Sequence, residues 1–597
     1  MKFSRALIAV VIIVIVVIAG AVYFVATPTP KPGPTAVSAN TASSALPQEM
    51  TVDEASTPSS LDAGTVIDNN GLEIAQNTNL PLTFCKDQGC TENVPVVASS
   101  WTSTPDGLTY TFHLRKGVYY SNGDPFNAYV VWYNVYRDLF MNQPVDFIFY
   151  LYFNTTGVSV SDVNALNNAQ NVPDATLLKV MQNPQNSVTV LDETTVQFHL
   201  TNPFVPFMKT INTSPWIFVD PYVVQQHGGV AADQPNAYMA VNGTFVGDGA
   251  YVTQTFVPNQ YSILVANPSY WAENLTASDT NFVLQPARIP KIIINYKTDE
   301  LTRVLDVETN RAQAAIVAFN DITSVLHNDQ NLYIPDLGPS GTLEWISIDA
   351  LKPPTDNPLV RKAIVEAINL TEIQQVAYAG YAMPVVGPNL HGFFGYNDSI
   401  KPPAYNIEDA KRLLAEAGYP GGKGLAPLNL VYPTSAYLTL LAEVMQQNAA
   451  QVGITIVPQQ VTYGTWLEMS YVLGNKTEAP YMIANNWTFY PDVSAYEAIV
   501  DSTFGVVENY HNQTVVDLMA KSNTELDPAK RAQEISQFTQ ILLDSNAFIW
   551  LSQDVALYDT GGGFGPTVFN KCLTGMFYNT AFNGVMFNVI SYACPPS

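Results

Sequence analysis

Charge is what this sequence has least of. Only 13% of its 597 residues are charged, and 26 basic against 51 acidic side chains leave a formal net charge of -25. A nucleic-acid partner is excluded on that ground, because neutralising phosphates takes clustered Lys and Arg and no basic patch occurs. Polar surface has to come from Asn, Gln, Ser, Thr and Tyr. The acidity serves solubility, and it also fits a protein working in an acidic exterior. Catalytic signatures are missing as well: there is no Gly-x-Ser-x-Gly elbow, no His-Glu-x-x-His helix and no Gly-x-x-x-x-Gly-Lys loop. The six histidines (113, 199, 227, 327, 391 and 511) are isolated from one another. His113 and His199 fall on expected strands, where a hydrogen-bonded or solvent-facing role is the natural one. We therefore read the chain as a non-enzyme without a cofactor. A secreted surface hydrolase built on a spatial pair of carboxylates is the rival.

Cysteine is scarce too, with four in the chain. Cys85 and Cys90 flank a short Lys-Asp-Gln-Gly loop, and Cys572 and Cys594 lie near the C-terminus. Two local disulfides are the simplest of the three possible connectivities. Zinc is excluded because neither pair has a two-residue spacing and no His lies near either.

What is present begins with the N-terminus. Lys2 and Arg5 precede an uncharged apolar run from Ala6 to Ala26, long enough to span a bilayer and longer than most signal-peptide cores. Positive residues stay inside, so the body is expected outside the cell, held by residues 1–26 as an anchor or exported by them as a signal peptide. Residues 27–50, rich in Pro and then in Ser, Thr and Ala, read as a stalk. The remaining length predicts two or three domains.

The most informative stretch runs from Trp101 to Arg137. Leu108, Tyr110, Phe112 and Leu114 alternate with Thr109, Thr111, His113 and Arg115, the period of a half-buried strand entered through the Asp106-Gly107 turn. Ser121-Asn122-Gly123-Asp124-Pro125 is a second turn, and Asn127 sits where a helix N-cap belongs. Val131, Tyr133, Val135 and Tyr136 give that helix more apolar surface than one face needs, so it should be covered on most sides. Residues 187–200 predict a hairpin turning at Asp192-Glu193. The region 140–185 is polar, Asn-rich and without an assignable pattern. Gly247 and Gly249 lack the Lys and the helix of a nucleotide loop and read as a turn between strands. Beyond 299 helices dominate, over 299–312, 356–379, 405–418, 436–450 and 509–545. Strands are expected at 290–296, 428–432, 454–459 and 547–551.

The strand, turn and helix of 101–137 resemble the extracytoplasmic solute-binding proteins of ABC importers in family 5, which includes the oligopeptide- and dipeptide-binding proteins. Asp106, Gly107, Leu114, Arg115, Lys116, Gly117, Gly123, Pro125, Phe126 and Ala128 carry the likeness. Tyr129 and Val130 stand where the family usually has an acidic pair. Further matches are Gly247-Asp248-Gly249-Ala250-Tyr251, Asn267-Pro268-Ser269-Tyr270-Trp271, the helix of Asp356 to Asn369 and that of Tyr405 to Pro420.

The resemblance implies an α/β, two-lobed periplasmic-binding-protein type II fold with an additional small inserted domain. Lobe I would comprise 51–95, 206–298 and 549–597, the inserted domain 96–205 and lobe II 299–548. It implies a receptor that captures oligopeptides or similar oligomeric solutes between closing lobes and delivers them to a membrane permease. It also places Trp487, Phe489, Tyr490 and Asp492 in the ligand cleft. Peptide binders there usually read Trp-x-x-Asp-Tyr-x-Asp, the first Asp pairing with the peptide's amino group. Phe489 occupies that place here. An aromatic ring cannot neutralise an ammonium, although it can give a cation-π contact. Oligosaccharides, which stack on Trp and Tyr faces, are the alternative solute.

Overall fold

Alternating strands need a sheet to share and a layer to cover it, and the chain meets that need three times. In the computed structural model, which describes residues 47–66, 68–87, 89–335, 339–472, 479–499, 510–555, 566–576, 578–579 and 584–593, strands gather into sheets of seven, six and four, besides two-stranded ribbons. The seven-stranded sheet runs, in spatial order, Leu332–Tyr333, Thr567–Asn570, Ala314–Ile316, Glu49–Glu54, Lys291–Tyr296, Tyr261–Ala266, Tyr251–Val257. The six-stranded sheet runs Ala382–Met383, Phe548–Val555, Pro339–Ile348, Met482–Thr488, Leu428–Pro433, Ile456–Val461. A four-stranded antiparallel sheet of Ala98–Ser103, Thr109–Leu114, Thr195–His199 and Val188–Asp192 falls within 96–205.

Between the two large sheets the chain passes twice, from Tyr333 to Pro339 and from Val555 to Thr567. The described ends of the two passages are neighbours. Before the gap Leu332 pairs with Asn570, and beyond it Pro339 pairs with Val555. The sheets thus belong to two lobes joined by adjacent connections, which moves the expected boundaries. Ala314–Ile316 lies parallel to Glu49–Glu54 in the seven-stranded sheet, so the helix Glu300–Glu308 is a crossover inside that lobe and not the start of the other. The shift to helical composition at 299 marks a βαβ unit. At the other end, Phe548–Val555 pairs with Pro339–Ile348 and stays in the six-stranded lobe.

The expected membrane segment 1–26 lies outside the described residues; among the described residues no helix is long and apolar enough to cross a membrane. The stalk expected over 27–50 ends early, because Glu49 and Met50 already pair with Lys291 and Ile292. Cys85 and Cys90 form the expected disulfide. Cys572 is also disulfide-bonded, and Cys594 lies outside the described residues.

Local signals are realised closely where a cap is present. The helix Ala128–Met141 starts at Asn127, whose side chain accepts from the amides of Tyr129 and Val130, and twelve of its residues are buried. The helix expected over 356–379 breaks at Ile368, with Asn369 capping a second one, Leu370–Val376. The one expected over 509–545 breaks before Asp527, which caps Pro528–Ser545. Gly247 and Gly249 press on the C-terminal end of the helix Asn69–Thr78: a Cβ on Gly247 would lie 2.0 Å from the carbonyl oxygen of Thr78. They precede the strand that begins at Tyr251 and do not separate two strands.

The unassigned region after 140 supplies an acid to a buried cluster. Arg137 bonds Asp62 of the loop after the first strand, and its Nη1 donates to Asp138 Oδ1 at 2.9 Å. Asp146 stands beside both Asp138 and Arg137, with its Oδ1 lacking a hydrogen-bond partner among the described residues. Tyr133 faces Arg137 and Tyr150 faces Asp146. Three buried carboxyls around one guanidinium cannot all ionise cheaply. Burial pushes Asp138 up to about 8, against the pull of Arg137, and burial and Asp138 raise Asp146 far above the carboxylate range. Asp220 and Asp248 are pushed to about 7 by burial.

A carboxyl whose folded pKa exceeds its unfolded value contributes stability that is fully present below the unfolded pKa and lost as pH rises through the folded one. The melting midpoint should therefore climb as pH falls from 8 to about 5, the window above the unfolded Asp value of about 3.9. Asp146→Asn, which mimics the protonated acid, should flatten that slope in melts from pH 5 to 8; an unchanged slope would exclude the cluster as its source.

Candidate functional site

The strand Met482–Thr488 is central in the six-stranded sheet, antiparallel to Pro339–Ile348 on one edge and parallel to Leu428–Pro433 on the other. Its alternation decides which side chains reach the core. Met482 and Ala484 join the buried cluster beneath the helices Pro358–Ala367 and Ala436–Ala450. Ile483, Asn485 and Trp487 point to the opposite face. At the strand's end Thr488 Oγ1 lies 2.8 Å from Thr342 Oγ1, and the chain turns through Phe489, Tyr490 and Pro491 to Asp492.

Four expected cleft residues separate here into two kinds. Trp487 and Phe489 are half-buried. The Phe489 ring packs on Phe147, of the Asn-rich region after 140, centroids 5.5 Å apart and planes at 30°. Tyr490 and Asp492 are buried. Tyr490 is fully buried, its phenol 3.1 Å from Ser494 Oγ, and burial raises its pKa. Asp492 is 1% exposed, and its Oδ1 takes Arg531 Nη2 at 2.6 Å together with the amide and hydroxyl of Ser494. Burial opposes its charge, yet Arg531 and Lys209 hold the carboxyl below its ordinary value. Asp492 thereby ties the turn to the helix Pro528–Ser545.

Two residues outside any motif join this surface. Phe147 follows a short turn in the Asn-rich region, where its sequence neighbours gave no periodic signal. Tyr463 opens the short helix Tyr463–Leu467 and stacks on Trp466, with centroids 5.3 Å apart. It is 53% exposed, yet burial first and then the charge of Asp68, from the loop after the first strand, raise its phenol. Asn485 is fixed by Ser347 and Ser470. Among the described residues no group of three or more His, Cys, Asp or Glu could hold a metal ion.

The arrangement has counterparts. A profile of bacterial extracellular solute-binding proteins, family 5 middle region, matches residues 92–505. The glutathione-binding protein GsiB of Escherichia coli O1:K1 / APEC is 25% identical over 469 residues, 76% of this chain and 79% of that protein. Among solved structures, the periplasmic binding protein DppA of Helicobacter pylori in complex with the peptide STSA aligns with a TM-score of 0.68 at 22% identity, covering 92% of this chain and 98% of that one. The oligopeptide-binding OppAIV of Borrelia burgdorferi aligns with a TM-score of 0.69 at 19% identity, covering 92% and 100%. At these identities the structures speak for the fold.

Removing one partner from a buried ion pair leaves the other uncompensated, at a cost of about 3–5 kcal/mol. Arg531→Met should lower unfolding free energy in urea by about that amount, whereas Tyr463→Ala, at the half-exposed rim, should change it by less than about 1 kcal/mol.

Proposed function

The chain belongs to the bacterial extracellular solute-binding proteins of family 5, whose members bind solutes and do not transform them, and from that premise we propose that it captures oligopeptides or similar oligomeric solutes between its lobes. Family membership removes the surface-hydrolase reading. The observation that carries the proposal is the end of the strand Met482–Thr488, which carries half-buried Trp487 and leads into half-buried Phe489, whose ring packs on Phe147. Aromatic walls with a few fixed amides are what a cleft for an oligomer needs. Hinge closure about the two adjacent connections then traps the solute, through its greater affinity for the closed form. Delivery to a membrane permease completes the role. The apolar run of residues 6–26 behind Lys2 and Arg5 supports tethering the receptor to the membrane with its body outside.

A second reading is favoured by one specific feature. Phe489 offers no carboxylate to an ammonium, and Asp492, the nearby acid, is held by Arg531. Both facts favour a solute whose contacting end is uncharged, which is the chemistry of a neutral oligosaccharide or of an N-blocked peptide.

A thermal-shift screen separates the two, since binding to the native state alone raises the melting midpoint. Ser-Thr-Ser-Ala, its N-acetyl form and maltotriose are suitable probes. Phe489→Asp should strengthen the free-amine peptide over its acetylated form, and Trp487→Ala should weaken whichever probe binds by about ten-fold, equivalent to about 1.4 kcal/mol. If neither variant alters any probe's affinity, the wall lies elsewhere.

A further inference from the structure

We propose that Lys209 is a positioning residue that fastens the two lobes in the closed form, seizing the turn after Phe489 from the opposite side of the cleft. This rests on the receptor reading above. Lys209 lies in the helix Phe207–Thr210, outside both connections between the large sheets. That helix is fixed to the disulfide ribbon: Asn93 Nδ2 donates to the Met208 carbonyl at 3.1 Å, and Asn212 Nδ2 donates to Asn93 Oδ1 at 2.7 Å. From this base the ammonium donates to the Gly89 carbonyl, inside the Cys85–Cys90 loop, at 3.2 Å.

Its other partners come from the six-stranded lobe. The same Nζ donates to the Pro491 carbonyl at 2.6 Å and lies 3.7 Å from Asp492 Oδ2. Pro491 and Asp492 follow directly on the strand Met482–Thr488, so the group that Lys209 grips is the one that carries Phe489. A compact ammonium with three rotatable donors suits acceptors arriving from different directions better than a planar guanidinium would. Close by, the same disulfide loop abuts the other lobe: a Cβ on Gly89 would stand 2.6 Å from the Gly392 carbonyl oxygen.

The partners divide so that separation leaves nothing stranded. If the lobes part, Asp492 keeps Arg531 and Ser494, while Lys209 keeps Gly89 and the nearby Asp87 charge and gains water. A buried pair with no second partner would resist opening, because each ion would be left uncompensated. This one can release and re-form. The side chain is 16% exposed, which places it at the rim of the contact, where water can enter as the bond breaks.

The test measures lobe separation with no solute added. Spin labels on Gln260→Cys, in the seven-stranded lobe, and Lys423→Cys, in the six-stranded lobe, both exposed positions, report the distance by pulsed electron resonance in the full chain. Lys209→Met and Lys209→Gln should at least halve the short-distance population, with little change in melting midpoint, and Lys209→Arg should restore part of it. Distributions that superimpose on the parent overturn the proposal. So does a variant that melts early, or fails to fold, in both substitutions, since that makes Lys209 part of the permanent core. Because no solute is present, a failed solute screen and a failed lock are separate results.

Discussion

The double passage of the backbone between the two large sheets is the constraint on which the rest depends. The described ends of the two connections are neighbours on both sides, Leu332 pairing with Asn570 and Pro339 with Val555. Each lobe can then be rigid in its own right, with its sheet covered by its own helices. All contacts that matter for capture must form across the gap, away from those connections. Phe147 against Phe489 and Lys209 on the turn at Pro491 are contacts of this kind.

Much of this fold was legible in the sequence, for reasons that differ by element. Asn127 caps the helix Ala128–Met141 through its side-chain acceptor as expected, and a short-range signal of that type survives whatever the tertiary context; Asn369 and Asp527 cap helices at breaks that the expected continuous helices ran through. The alternation of Leu108 to Leu114 and the hairpin of 188–199 held because one face of the small sheet is buried. Lobe boundaries were less readable, since a helix between strands of one sheet and a helix in the next lobe look alike from composition. Asp527 and Pro528, in hindsight, mark the split in the helix expected over 509–545.

The site was legible only in part. Trp487 and Phe489 could be placed from the motif, but the roles of Tyr490 and Asp492 depend on partners far away in sequence: Arg531 stands 39 positions from Asp492. Phe147 was invisible because nothing periodic surrounds it. The buried acids around Arg137 were hidden for a similar reason, as Asp62 comes from 75 positions upstream. Burial raises several carboxyls toward neutrality, so acidic composition alone does not fix the charge of the folded chain.

The Cys85–Cys90 bridge links the Lys209 contact to the redox state of the surroundings. The carbonyl that Lys209 grips, that of Gly89, belongs to a loop closed by a bond of the kind that oxidising compartments preserve and reducing ones do not.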